Sequence, residues 1–102
     1  MTTSRNLYEP TTITFTFRNA AGDLADPTTV TAMVMSPSGL VAEYPGAGAI
    51  GNPSIGVYEI QFLPDESGVW FWRATGEGND VNVVEEGIIR VLPSPFAAQL
   101  AV

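Results

Sequence analysis

The stretch that decides the fold is residues 56–75, Gly-Val-Tyr-Glu-Ile-Gln-Phe-Leu-Pro-Asp-Glu-Ser-Gly-Val-Trp-Phe-Trp-Arg-Ala-Thr. Tyr58, Ile60 and Phe62 alternate with Val57, Glu59 and Gln61. Further on, Trp70, Trp72 and Ala74 alternate with Val69, Phe71 and Arg73. A period of two is the period of a β-strand, because successive side chains leave a pleated backbone on opposite faces. Between the runs, Pro64-Asp65-Glu66-Ser67-Gly68 has the chemistry of a tight polar corner. Pro presets φ, Asp and Ser bond local backbone, and Gly accepts positive φ. Each tryptophan buries roughly 150–250 Å² when packed, so the pair is expected to anchor the core.

Outward from this stretch, the same period recurs. In residues 11–18, Ile13, Phe15 and Phe17 face one way and Thr12, Thr14, Thr16 and Arg18 the other. One dry and one wet face indicate an antiparallel sheet. Residues 19–27 read as a loop or loose hairpin connection, closed by Asp26-Pro27, which favours extended backbone. Residues 28–35 alternate Val30, Ala32 and Val34 against Thr29, Thr31, Met33 and Met35. Ser36-Pro37-Ser38-Gly39 turns the chain into a short strand, residues 40–44, expected to pair with its predecessor as a hairpin.

Residues 45–55 hold three glycines and two prolines, and read as an irregular crossover between sheets. No Lys-Ser/Thr pair follows the glycines, so they form no phosphate cradle. Gly76-Glu77-Gly78-Asn79-Asp80 is a turn, and residues 81–92 form a long final strand. There Val83, Ile89 and Val91 oppose Val84, Ile88 and Leu92, with a bulge expected near Gly87. Glu85 and Glu86 could blunt an exposed edge. The expected fold is therefore an all-β, Ig-like antiparallel β-sandwich of six to seven strands. It runs over residues 11–93, with an N-terminal arm at 1–10 and a C-terminal tail at 94–102. The prolines Pro93 and Pro95 end the last strand.

A chain of 102 residues is one domain's worth of sequence. With 45% apolar residues it can fill a single core. No apolar run approaches the ~20 residues of a membrane span. The first six residues lack the apolar centre of a signal peptide. There is no cysteine, hence no disulfide or thiolate chemistry, and no histidine, the usual general base near neutral pH. Four arginines stand against eleven carboxylates, a net charge of −7. That balance argues against nucleic acid and against anionic membranes as partners.

The carboxylate pairs Asp65/Glu66 and Glu85/Glu86 are chain neighbours whose side chains diverge in a strand. Asp23, Asp26, Glu77 and Asp80 lie in loops that could converge, and calcium is the ion such oxygens would select. Their spacing matches no EF-hand, and solvated turn residues explain them more simply. No serine has a histidine partner, so a hydrolase triad is absent. No catalytic, metal or cofactor site is expected. A two-carboxylate glycosidase would need a cleft for which so short a chain leaves little room. A carbohydrate-binding module would need Trp70 and Trp72 in solvent.

The candidate interface residues are Leu7, Tyr8, Arg73, Phe96 and Leu100. Leu7 and Tyr8 offer the N-terminal arm something to dock. Arg73, the one charge in the aromatic strand, reads either as an interfacial anchor or as a surface arginine paired with Glu85 or Glu86. Phe96 and Leu100 read as an interaction tail or as a flap over one end of the sandwich.

Asp26-Pro27-Thr28-Thr29-Val30, Pro37-Ser38-Gly39, Gly56-Val57-Tyr58 and Gly68-Val69-Trp70-Phe71-Trp72-Arg73, followed by Glu86-Gly87 and Val91-Leu92-Pro93-Ser94, carry a resemblance. Over residues 8–96 the chain is similar to the small Ig-like proteins of tailed bacteriophages and prophages, encoded among head and head–tail genes. The shared motifs are turns and core aromatics. The resemblance implies a non-enzymatic virion structural protein, a capsid decoration (cement) protein or a head–tail connector or tail component. Its implied partners are the major capsid protein or other virion proteins. It further implies a homo-oligomer or many copies on a lattice, and a place in the virion after synthesis in the bacterial cytoplasm.

Overall fold

The computed structural model describes residues 2–46 and 49–93, with side chains from residue 5 onward. Eight strands follow in chain order: β1 (Thr2–Asn6), β2 (Thr11–Thr16), β3 (Thr29–Met35), β4 (Val41–Tyr44), β5 (Gly51–Ser54), β6 (Val57–Phe62), β7 (Gly68–Gly78) and β8 (Val81–Leu92). They form a five-stranded sheet, β1-β8-β7-β3-β4, and a three-stranded sheet, β2-β6-β5. The two runs that flank Pro64–Gly68 thus lie in different sheets. The polar corner carries the chain across the sandwich, so the tyrosine and tryptophan faces meet in the core.

That meeting is aromatic. Phe15 lies between Tyr58 and Trp72, with ring centroids at 6.2 and 6.0 Å. Phe17 meets Phe15 and Tyr58 edge-on, both at 5.6 Å. At the corner end Phe62 packs on Trp70 at 5.1 Å. Ile13, Phe15 and Phe17, Tyr58 and Ile60, and Trp70, Trp72 and Ala74 are all buried. The Trp70 indole N–H donates to the Glu66 carbonyl at 2.9 Å, so the corner satisfies the polar edge of the ring it delivers.

β7 and β8 form the longest pair, in unbroken antiparallel register from Gly68 opposite Val91 to Gly78 opposite Val81. Asn79 and Asp80 join them with φ of 54° and 62°. Two positive φ values make a type I′ turn, whose twist matches that of the strands, and Asn and Asp tolerate that region.

Three expectations are corrected. Residues 1–10 are not a free arm: β1 runs parallel to β8, from Thr2 opposite Ile88 to Asn6 opposite Leu92. Its sequence, Thr-Thr-Ser-Arg-Asn, has no apolar alternation because an edge strand can be held by backbone bonds alone. It also makes one pair of an otherwise antiparallel sandwich parallel. Within 45–55, Gly51–Ser54 is a strand after all, paired with β6 through a register shift. Pro53 is tolerated at this sheet edge. The Asn52 side-chain amide donates to the Ser54 and Val57 carbonyls at 2.7 and 2.8 Å, replacing part of the missing ladder.

Thirdly, there is no bulge at Gly87. It stands opposite Trp72 in continuous register. A Cβ built on Gly87 would lie 2.5, 2.6 and 2.7 Å from Nε1, Cε2 and Cζ2 of the Trp72 indole. The glycine is there to make room for the ring.

Candidate interaction surface

The two faces of the five-stranded sheet differ in kind. Its inner face carries the core, while its outer face is built from the residues that alternate with it. In register across that outer face, Val41 stands opposite Met35, Met35 opposite Phe71, and Phe71 opposite Ile88. Four strands therefore contribute to one apolar row. Val41 is 53%, Met35 37% and Phe71 46% exposed, and Ile88 is half-buried. Met33 extends the row on β3, opposite Arg73. A shallow depression of about 250 Å³ is lined by Met33, Met35, Val41, Phe71, Arg73 and Glu86. Contiguous exposed apolar surface rimmed by polar groups marks an interaction site more often than scattered single residues do.

Arg73 sits at the rim. Its Nε donates to Glu86 Oε2 at 2.9 Å and its Nη2 lies 2.8 Å from the same oxygen. Of the two sequence readings, the pairing across to β8 is present, with Glu86 as the partner. The other candidates do not gather around it. Leu7 is half-buried against the core, and its N–H donates to the Leu92 carbonyl at 2.9 Å. It belongs to the domain's packing. Tyr8 has φ of 61°, is 62% exposed, and its N–H donates to the Pro64 carbonyl at 2.8 Å, which places its ring at the corner end of the sandwich. Phe96 and Leu100 lie outside the described residues.

Sequence alternation had already put Met33, Met35 and Phe71 on the face away from the core. Their convergence was hidden because it depends on the β3–β7 register. The available signal was compositional: methionines and a phenylalanine on a face that should be wet.

At the opposite end, Asp26 does a different job. Its Oδ1 accepts the Gly56 N–H at 2.7 Å, the Tyr58 hydroxyl at 3.0 Å and the Asn52 amide at 3.5 Å. Its backbone carbonyl accepts the Asn79 side-chain amide at 2.8 Å. The Gly56 N–H bond holds the Asp26 carboxyl below its ordinary value, burial opposes this, and the bonds from Tyr58 and Asn52 assist. Burial, with the bond and charge of Asp26, pushes Tyr58 up to about 12. Asp26 is thus a pin tying loop 19–27 to β5, β6 and the β7–β8 turn. Among the described residues no three His, Cys, Asp or Glu side chains come together as a metal cluster. Trp70 and Trp72 are 7% and 8% exposed, so neither offers a platform for a sugar ring.

No protein-family model matches the chain, and no curated protein sequence matches it. Among solved structures it is similar to the Lin-41 filamin domain, at TM-score 0.68 and 20% identity over 87% of this chain and 82% of that one. It is also similar to part of a putative glycoside hydrolase from Bacteroides vulgatus ATCC 8482, at TM-score 0.60 and 14% identity. That second match covers 90% of this chain but spans only 16% of the hydrolase. At these identities the likeness is one of fold, and the fold is an Ig-like β-sandwich.

Proposed function

We propose that the protein is a non-enzymatic structural protein of a tailed-phage virion that decorates the capsid through the outer face of its five-stranded sheet. The observation that carries this reading is the apolar row Val41, Met35, Phe71 and Ile88, lying on a rigid face of an acidic domain. The resemblance of its turns and core aromatics to small phage Ig-like proteins supplies the class of partner. Weak single contacts suffice for such a role, because many copies on a symmetric shell add their contributions.

The test is co-sedimentation of the purified protein with undecorated heads. Saturable binding at a lattice-like copy number is expected, weakened at least tenfold by Met35→Ser with Phe71→Ser. An absence of binding to heads would overturn decoration. Binding instead to isolated connector or tail complexes would move the protein to the neck or tail.

A further inference from the structure

A sheet edge is a row of unpaired backbone donors and acceptors, and folded proteins usually guard it with charge, proline, a bulge or brevity. Among the described residues, four of the bare edges of this sandwich are guarded. β4 is four residues long and carries Glu43. β5 is equally short and contains Pro53 and a register shift. β1 carries Arg5. The portion of β8 before Ile88, beyond the reach of β1, carries Glu85 and Glu86. Among the described residues β2 is the exception. It has six residues, Thr-Thr-Ile-Thr-Phe-Thr, without charge or proline, and its register against β6 is regular throughout.

The phase of its free backbone groups follows from one bond. Phe17 N–H donates to the Gly56 carbonyl at 2.8 Å, so Phe17 turns its backbone toward the β6 side. Alternation then turns Thr11, Ile13 and Phe15 toward β6, and Thr12, Thr14 and Thr16 outward. An open cleft of about 360 Å³, lined by Thr11, Thr12, Thr14, Trp72 and Ile89 and by Arg5 of β1, lies beside this edge, where Thr12 and Thr14 are exposed.

We infer that β2 is a self-association edge, pairing antiparallel with the same strand of a second copy about a two-fold axis at Thr14. The strand is its own complement. With Thr14 opposite Thr14, Thr12 falls opposite Thr16, and all three outward-facing residues enter hydrogen-bonded pairs. Cross-strand Thr–Thr pairs are favourable, and no like charges are brought face to face within the strand. A two-fold contact of this kind closes on itself and yields a dimer, not a fibre. The two three-stranded sheets become one six-stranded sheet, and both outer apolar faces stay free. The inference is independent of the capsid reading, because it concerns the isolated protein.

Sedimentation equilibrium of the full chain is the test, beside the variant Thr12→Lys with Thr14→Lys. These side chains are exposed, so the fold should persist by circular dichroism. A wild-type dimer whose association weakens at least tenfold in the variant is expected. A wild-type monomer at about 100 µM, weaker than a specific complex requires, overturns the inference. So does a dimer indifferent to the lysines. Should the variant fail to fold, amide exchange on wild type decides. Thr12, Thr14 and Thr16 must exchange more slowly as protein concentration rises, and no change with concentration refutes the pairing.

Discussion

Replacing Gly87 with alanine tests how the core of this sandwich is closed. Gly87 is not at positive φ, so alanine meets no backbone penalty there. The obstacle is the Trp72 indole, three of whose atoms lie 2.5 to 2.7 Å from the position of the new methyl. Ordinary contact begins near 3.4 Å, so ring and strand must part by about 1 Å. The ring has little room to retreat, because its other side packs on Phe15. Overpacking of this kind costs about 1–3 kcal/mol. Alanine recovers about 0.5–1 kcal/mol of the entropy that glycine loses within a strand. The net expectation is a loss of about 1–2 kcal/mol, or roughly 5–10 °C in Tm for a domain of this size.

Urea unfolding followed by far-UV circular dichroism, at one protein concentration, measures it. The decisive form is a double-mutant cycle with Trp72→Leu, which removes the indole atoms Nε1, Cε2 and Cζ2 that the methyl would strike. In that background Gly87→Ala should stabilise by about 0.5–1 kcal/mol, leaving a coupling energy of about 1.5–3 kcal/mol. A glycine needed for its backbone would cost the same in both backgrounds. That result, or an alanine variant as stable as wild type, would refute the steric account.

Other expectations concern the Asp26 pin and the first strand. Asp26 is held below its ordinary value, so its contribution is complete above the unfolded value near 3.8 and fades as pH falls through the lower folded value. Urea midpoints of wild type should therefore drop in acid, and Asp26→Asn should lower stability at pH 7 while flattening that drop. Tyr58 is displaced the other way, from 10.0 to about 12. Its contribution is intact below pH 10 and is lost as pH rises toward 12, a pH dependence that Tyr58→Phe should abolish. Deleting residues 1–6 strips β1 from Ile88–Leu92 and exposes backbone that it covered. A lowered Tm is expected, and an unchanged one would mean that β1 adds nothing to the domain.

Much of the sandwich could be read from side-chain alternation. β3, β6 and β7 place apolar faces inward, β2 does so from Ile13 on, and their apolar core residues were identifiable from period alone. β1 and β5 escaped for a shared reason. Both are edge strands held by backbone and side-chain amide bonds, and such bonds leave no hydrophobic pattern. The misreading at Gly87 had another source: a glycine that loosens a strand and one that accommodates a ring look alike until the partner strand is in register. The apolar row had the same dependence. Each of its members was on a known face, but only pairing puts Val41, Met35, Phe71 and Ile88 in line.

The parallel seat of β1 against β8 also bears on how the chain is made. Thr2 pairs with Ile88 and Asn6 with Leu92, so β1 must wait for β8, which is made much later along the chain. At about 5–20 residues per second, β1 stays unpaired on the ribosome for several seconds after it emerges. β7 and β8, joined by a two-residue turn, can zip within microseconds once both are out. Closure of the sheet therefore waits until β8 has been made, and a chain truncated before Ile88 has no partner for β1.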